Sequence, residues 1–171
     1  MAVEVPTLTP LEEYLRTSYS PDREYRDGEL VERNVGDWAH ARLQALLSHY
    51  IAAREKQWNV IACTELRIKI RERWYPIPDI CVYSQPAPHE RYPERPPLLW
   101  IEILSEDDRM ADVWEKAAEL VKNGVPYVWI IEPNTLKSEL WTSSGAATIE
   151  DKILRLPSTE IVIPLLEVMA Q

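Results

Sequence analysis

The sequence predicts an α/β domain in which helices flank a mixed β-sheet. An apolar strand, an amphipathic helix and a second apolar strand follow one another over residues 98–132, as in a right-handed crossover between parallel strands. A hairpin signal and a long helical pattern precede this unit. The composition is ordinary for a globular protein, with 46% hydrophobic and 27% charged residues. We therefore expect one folded domain over residues 1–171.

Charge and composition exclude several classes of protein. A formal net charge of −9 argues against indiscriminate nucleic-acid binding, which usually requires a basic domain. The chain has no run of about 18 apolar residues and no signal-peptide pattern, so we expect a cytoplasmic protein without a membrane segment. Cys63 and Cys81 lie in strand-like segments and form no CxxC motif. We expect them to be buried, reduced thiols.

Three local signals define the first elements. Thr9-Pro10 precedes Leu11–Leu15, which has acidic residues in its first turn, and this pattern predicts a short helix. Asp27-Gly28 lies between two short strand-like segments and predicts a hairpin turn. Apolar residues at near-helical spacing then predict a long helix from Trp38 to Arg54.

The next segments, 59–63 and 65–70, have strand-like sequences. The second alternates apolar residues with Arg67, Lys69 and Arg71, so one of its faces is basic. We expect it to pair as a hairpin with a strand over 77–83, before a proline-rich loop without regular structure. The basic face either contacts a phosphate backbone or is a charged edge that prevents strand aggregation.

Residues Leu98–Leu104 are apolar on both alternating faces, which is typical of a central strand covered on both sides. Ser105 and Asp108 have the spacing of a capping box, and we expect the helix that they begin to end at Gly124. The remaining predicted segments are strands over 126–132 and 137–142, and short strands with a terminal apolar segment over 153–168.

Glu102 is the one charged residue of the predicted central strand. A buried carboxylate requires a cation, a metal ion or hydrogen bonds. Asp79 follows Pro78 in another apolar strand, and a hairpin beside the central strand would bring the two carboxylates together. Such a pair favours a hard divalent cation, Mg²⁺ or Mn²⁺. The structural alternatives are a strand-end role for Asp79 and a simple salt bridge for Glu102.

Lys116 lies at the edge of the apolar stripe of the following helix. Beside a bound metal ion, a lysine can orient the attacking water or stabilise charge on a phosphate. Asp112, four residues earlier, could hold it through a helical ion pair. The structural alternative is a solvated lysine.

Six short motifs follow one another along the chain. They are REYRDGEL at 23–30, the helix start near His40, PDI at 78–80, IEILS at 101–105, Asp112 with Lys116, and GVPYVWIIEP at 124–133. As an ordered set spanning residues 8–168, they resemble the Uma-two family of restriction-endonuclease-like proteins, which belongs to the PD-(D/E)xK nuclease superfamily.

This resemblance implies a restriction-endonuclease-like core, with Asp79 and Glu102 as ligands of Mg²⁺ or Mn²⁺ and with DNA as the substrate. The superfamily pattern places lysine two residues after the second acid, where this chain has Leu104. In the family the lysine is moved to the following helix, and Lys116 matches that position. Glu24 matches an acidic position of the first hairpin, so it is a further ligand, a water-orienting group or a surface residue.

Three function classes stay open at this point. The first is a metal-dependent DNA endonuclease, to which His40 contributes if it approaches the site rather than the helix surface. The second is a nuclease-like scaffold that binds nucleic acid or protein without cutting, through the basic strand and through Trp38, Trp58 and Trp74. The third is a structural homodimer joined by exposed tryptophans. The sequence does not distinguish DNA from RNA as the substrate.

Overall fold

The computed structural model describes residues 7–171, and this part of the chain forms five helices and eleven strands. In chain order these elements are α1 (Leu11–Arg16), β1 (Arg23–Arg26), β2 (Glu29–Glu32), α2 (Trp38–Ala52), α3 (Glu55–Trp58), β3 (Val60–Thr64), β4 (Trp74–Tyr75), β5 (Ile80–Ser84), β6 (Leu99–Ile103), α4 (Met110–Lys122), β7 (Tyr127–Ile131), β8 (Ser138–Thr142), β9 (Gly145–Thr148), β10 (Ile153–Arg155), β11 (Val162–Pro164) and α5 (Leu165–Met169).

The main sheet has six strands in the order β3-β5-β6-β7-β8-β9. Strands β6 and β7 are parallel and are joined through α4, whereas the other neighbouring strands are antiparallel. The predicted crossover and the mixed sheet are therefore confirmed. Residues of α2 and α5 pack in the core on one face of this sheet, and residues of α4 pack in the core on the other. Strand β6 is thus covered on both faces, as its sequence predicted.

A smaller sheet of order β2-β1-β4 lies beside the main one. Its hairpin turns at Asp27 and Gly28, whose φ angles are 53° and 101°. A two-residue hairpin loop of this type requires a positive φ at both positions, which an Asp-Gly pair can adopt. The predicted hairpin turn is therefore confirmed. Residues of α1 pack on Tyr25 and Tyr75 of this sheet.

Helix α2 begins at a side-chain cap. The carboxylate of Asp37 accepts a hydrogen bond from the His40 backbone N–H at 2.9 Å, which satisfies one of the free donors of the first turn. The predicted long helix is confirmed from Trp38, and it ends at Ala52. Because this cap fixes the first turn, it also fixes the backbone position of His40.

The predicted strand over residues 65–70 is wrong. Ile68 is buried, but residues 65–70 form no strand and belong to none of the three sheets, and β3 pairs with β5 instead. Isolated hydrogen bonds join this segment to the chain opposite it, such as Ile68 N–H to the Pro76 carbonyl at 3.2 Å. Because Pro76 and Pro78 have no N–H to donate, a continuous ladder cannot form there.

The predicted capping box is also wrong, because α4 begins at Met110 and has no side-chain cap. The Asp108 carboxylate accepts a hydrogen bond from the Ser105 backbone N–H at 2.7 Å, so these two residues close a turn before the helix. The predicted end of the helix is confirmed: α4 ends at Lys122, shortly before Gly124, whose φ angle is 101°.

Two further expectations concern membranes and thiols. Within the described residues, no helix is both long enough and apolar enough to cross a membrane. Cys63 and Cys81 are free thiols and are directly opposite each other on β3 and β5. Cys81 is buried as predicted, whereas Cys63 is only half-buried because β3 lies at the edge of the sheet.

Candidate active site

Asp79 and Glu102 lie on neighbouring strands. Ile80 of β5 pairs with Ile101 of β6, and extending this register by one residue places Asp79 opposite Glu102. Opposite residues of an antiparallel pair share a face. The Asp79 carboxylate is held against β6, because its Oδ2 accepts a hydrogen bond from the Ile103 backbone N–H at 2.7 Å. The structure therefore brings together the two carboxylates that the sequence singled out.

Lys116 reaches these carboxylates from α4. Its Nζ lies 2.7 Å from Oε1 of Glu102 and 2.7 Å from Oε1 of Glu24. The three side chains are 21%, 16% and 11% exposed, in the order Lys116, Glu102 and Glu24. Oε1 of Glu102 also accepts a hydrogen bond from Trp100 Nε1 at 2.7 Å. Because both contacts of Glu102 use Oε1, its Oε2 is the oxygen that can take a further ligand.

Burial and neighbouring charges set the ionisation of this cluster. Burial raises the pKa of Glu102 to about 7; Lys116 opposes this rise, and the nearby Asp79 and Glu24 charges add to it. Burial lowers the pKa of Lys116, but Glu102 and Glu24 raise it by more, so the net pKa is above the ordinary lysine value. Lys116 is therefore a protonated hydrogen-bond donor at neutral pH and not a general base.

Glu24 connects the small sheet to this cluster. It lies on β1, and its Oε1 also accepts a hydrogen bond from the Ile77 backbone N–H at 3.0 Å. Glu24 is therefore the second carboxylate that holds Lys116. The expected helical pair between Asp112 and Lys116 is wrong. Asp112 is exposed and its nearest cation is Arg109 at 3.9 Å, because Lys116 extends towards the sheet to meet two buried carboxylates.

An arginine and a histidine also contact Asp79. A terminal nitrogen of Arg33 lies 2.9 Å from Oδ1, and His40 Nε2 lies 3.3 Å from Oδ2. The hydrogen bond to Asp79 raises the pKa of His40, although burial opposes the rise. His40 thus approaches the site, which was one of its two predicted positions. Arg33 was not anticipated, since it lies in an irregular polar loop whose sequence pattern does not identify a site residue.

The histidine is held in place by Gly36. A Cβ atom at Gly36 would lie 2.4 Å from Nδ1 of His40, so the absence of a side chain there lets the imidazole pack over the backbone. Together with the Asp37 cap, this contact directs the His40 ring towards Asp79. His40 therefore positions the carboxylate from the α2 side.

The predicted nucleic-acid contacts lie apart from this site. Arg67, Lys69 and Arg71 form ion pairs of 2.7, 2.8 and 2.7 Å with Asp22, Glu94 and Asp27, respectively. None of these three basic residues lines the cavity that contains Asp79 and Glu102. A contact between these residues and a phosphate backbone stays a prediction, and each basic side chain would have to exchange a carboxylate for the phosphate.

The expected aromatic surface is only partly present. Trp38 is 82% exposed, but Trp58 is half-buried and Trp74 is 2% exposed. Trp74 lies in β4, where it packs in the core beneath α4. The interpretation of Trp74 as a surface residue is therefore wrong, and Trp38 is the exposed member of the set.

A cavity of about 430 Å³ opens above the carboxylates. Its walls carry seven Asp or Glu and four Arg or Lys side chains, and they include Glu24, Asp79, Glu102 and Lys116. The acidic excess makes the cavity attractive to cations and repulsive to a bare phosphate backbone.

The carboxylate oxygens of this site are the type of ligand that a hard divalent cation prefers. Within residues 7–171, no group of three or more His, Cys, Asp or Glu side chains has the arrangement of a metal site. Mg²⁺ does not need such a group, because it usually keeps several waters and takes one or two carboxylates together with substrate phosphates. Asp79 and Glu102 supply two carboxylates on adjacent strands.

The mixed sheet and its flanking helices define an α/β protein with a restriction-endonuclease-like core. The chain belongs to the Uma2 family, which is described as "putative restriction endonuclease" and whose model matches residues 11–169. A similar solved structure is a "putative nuclease belonging to DUF820" from Anabaena variabilis ATCC 29413. It is 21% identical, the alignment covers 94% of this chain and 97% of that chain, and the TM-score is 0.80. At 21% identity, this similarity shows that the two proteins share a fold. No curated protein matches the chain.

Proposed function

We propose that this protein is a PD-(D/E)xK-type endonuclease that uses Mg²⁺ or Mn²⁺ to hydrolyse phosphodiester bonds in DNA. The main support is the position of Lys116, which comes from the crossover helix and contacts Glu102 at 2.7 Å, beside Asp79. An acidic pair with an adjacent cationic donor suits metal-assisted phosphodiester hydrolysis, because the acids can hold the metal ion and the cation can stabilise developing charge. The family and the fold of its structural neighbour support the nuclease class.

Asp79 and Glu102 would hold the metal ion. When bound, a divalent cation supplies Lewis acidity and lowers the pKa of the attacking water. Lys116 stays protonated, so it donates a hydrogen bond to the water or to the phosphate oxygen on which charge develops. Glu24 also holds the Lys116 ammonium group, at 2.7 Å. The apolar residue at position 104 is compatible with this chemistry, because Lys116 supplies the ammonium group from α4.

The test is cleavage of supercoiled, linear and single-stranded DNA with Mg²⁺ or Mn²⁺, with single-stranded RNA as a parallel substrate. We expect Asp79→Asn, Glu102→Gln and Lys116→Met each to lower the cleavage rate by about 100-fold or more. Lys122→Met is the matched control, because Lys122 is exposed at the end of the same helix. The proposal fails if the wild type leaves all substrates intact with both metals and Asp79→Asn leaves metal binding unchanged.

The second candidate is a scaffold that binds nucleic acid or a protein without cutting. The observation that favours it is the ion pair of Asp79 with Arg33, which neutralises this carboxylate without a metal ion. Thermal unfolding with increasing Mn²⁺ separates the two candidates, since a cation that binds only the folded state raises the melting temperature. We expect a rise in the wild type and none in Glu102→Gln. Equal responses of the two proteins would favour the scaffold.

The proposed assembly is a homodimer. Trp38 is 82% exposed and lies close in sequence to Val35, which is 77% exposed, so these are the apolar side chains that such an interface would bury. Light scattering of the wild type and of Trp38→Ser measures the oligomeric state. A wild-type protein that is a monomer at all concentrations would rule the dimer out.

A further inference from the structure

Arg33 is the cation that contacts Asp79 directly. It lies in the irregular segment 33–37 between β2 and α2, and its side chain is only 18% exposed. A terminal nitrogen donates a hydrogen bond to Asp79 Oδ1 at 2.9 Å. The other oxygen, Oδ2, already accepts the Ile103 N–H and lies 3.3 Å from His40. Oδ1 is therefore the oxygen through which Asp79 would meet a metal ion, and Arg33 occupies it.

A guanidinium and a divalent cation compete for the same carboxylate oxygen. They are like charges, and against one oxygen they would repel each other strongly even with substantial screening. A metal ion at Asp79 therefore favours the departure of Arg33 from Oδ1. The other buried cation of the cavity, Lys116, stays paired with Glu24 and Glu102.

The backbone next to Arg33 is anchored at the cavity. The residue after Arg33 is tied to another residue of the cavity wall, because Asn34 Nδ2 donates a hydrogen bond to Asp108 Oδ1 at 2.7 Å. Asp108 itself is held by the Ser105 backbone N–H. With the backbone anchored next to it, Arg33 changes partner by rotating its long side chain. A planar guanidinium with several donors is well suited to two oxygens of a phosphate.

We propose that Arg33 is the counter-ion of Asp79 in the metal-free protein and that it transfers to a backbone phosphate of the nucleic acid when a divalent cation binds. This inference rests on the proposed function, because it requires a metal ion at Asp79. It explains how an acidic cavity receives a polyanion: the metal ion adds positive charge, and the same exchange frees an arginine for the phosphate.

The first experiment measures Mn²⁺ binding to the protein alone by isothermal titration calorimetry. We expect Arg33→Gln to bind Mn²⁺ at least fivefold more tightly than the wild type, and Arg33→Lys to be intermediate. Arg109→Gln is the matched control, since Arg109 lines the same cavity but is 81% exposed, and we expect less than a twofold change. Equal affinity in wild type and Arg33→Gln overturns the exchange but leaves the metal-dependent function standing. Absence of Mn²⁺ binding in both proteins also overturns the exchange, whereas the metal-dependent function is decided separately by the cleavage assay, in which the substrate phosphates are present.

The second experiment measures binding of a mixed-sequence DNA duplex by fluorescence anisotropy, with Ca²⁺ present in order to slow cleavage. We expect Arg33→Gln to bind DNA several-fold more weakly than the wild type with Ca²⁺, and to reduce the slope of log affinity against log salt by about one. Without a divalent cation the two proteins should differ by less than twofold. DNA binding that is unchanged in Arg33→Gln with Ca²⁺ overturns the transfer to phosphate, even if Mn²⁺ binding is tighter.

Discussion

Replacing Lys116 by methionine should destabilise the protein by about 3 kcal/mol at pH 8. Lys116 is the shared cation of Glu24 and Glu102, and the three side chains are at most 21% exposed. Removing one partner from a buried ion pair costs about 3–5 kcal/mol, because the remaining charge has no compensation. We take the lower end of that range because the cluster borders a cavity that water can enter.

The loss should become smaller at pH 5.5. Burial raises the pKa of Glu102 to about 7, so this carboxyl takes up a proton below that pH and no longer needs a cation. Urea unfolding at both pH values measures the difference. Adding Glu102→Gln to Lys116→Met should recover about 1 kcal/mol or more at pH 8, because one of two unpaired charges is removed. Lys122→Met, the exposed control, should change stability by about 0.5 kcal/mol or less. A loss below about 1 kcal/mol for Lys116→Met at pH 8 would refute this account of the cluster.

Three further outcomes are expected. Mn²⁺ affinity, measured by calorimetry, should fall about tenfold for each pH unit below pH 7, because Glu102 must release its proton; a flat profile would contradict this. Gly36→Ala should lower the free energy of unfolding by about 1–3 kcal/mol, since the new Cβ would lie 2.4 Å from His40 Nδ1; urea unfolding without a measurable loss would disprove the contact. Iodoacetamide should label Cys63 before Cys81, because a hydrogen bond from Cys81 lowers the pKa of Cys63 to about 7 and Cys81 is buried; peptide mass spectrometry that finds the reverse order would refute the reasoning.

The sequence predicts the centre of the fold well. The unit of β6, α4 and β7 is visible because strands covered on both faces are continuously apolar and the connecting helix has a clear apolar stripe. The prediction of a strand over residues 65–70 is wrong for a nonlocal reason. The alternation in this segment correctly indicates that Ile68 and Ile70 are buried, but strand pairing depends on the opposite chain, where prolines remove donors. Strand β9 gives no signal at all, because its residues Gly145–Thr148 are small and exposed.

A residue of the candidate site can be predicted from the sequence when it differs clearly from the residues next to it. Glu102 stands out because it is charged within an apolar strand, and Asp79 gains weight from the strand beside it. Apart from its position at the edge of the apolar stripe of α4, nothing in the nearby sequence marks Lys116 as a site residue. The resemblance to the family is the main reason to predict it. Arg33 could not be found, because its partner Asp79 is 46 residues away and no periodic pattern links the two.

Because Lys116 lies on a helix, its contact with Glu102 on the sheet should be sensitive to heating. In this chain the ammonium group and Glu102 belong to different elements, and their contact depends on how α4 sits on the sheet through Ala117 and Leu120. Local opening of one helix requires less free energy than global unfolding. Separation of α4 from the sheet would remove the ammonium group while most of the sheet stays folded. If Lys116 acts as proposed, loss of cleavage activity on heating should therefore begin at a lower temperature than the main unfolding transition.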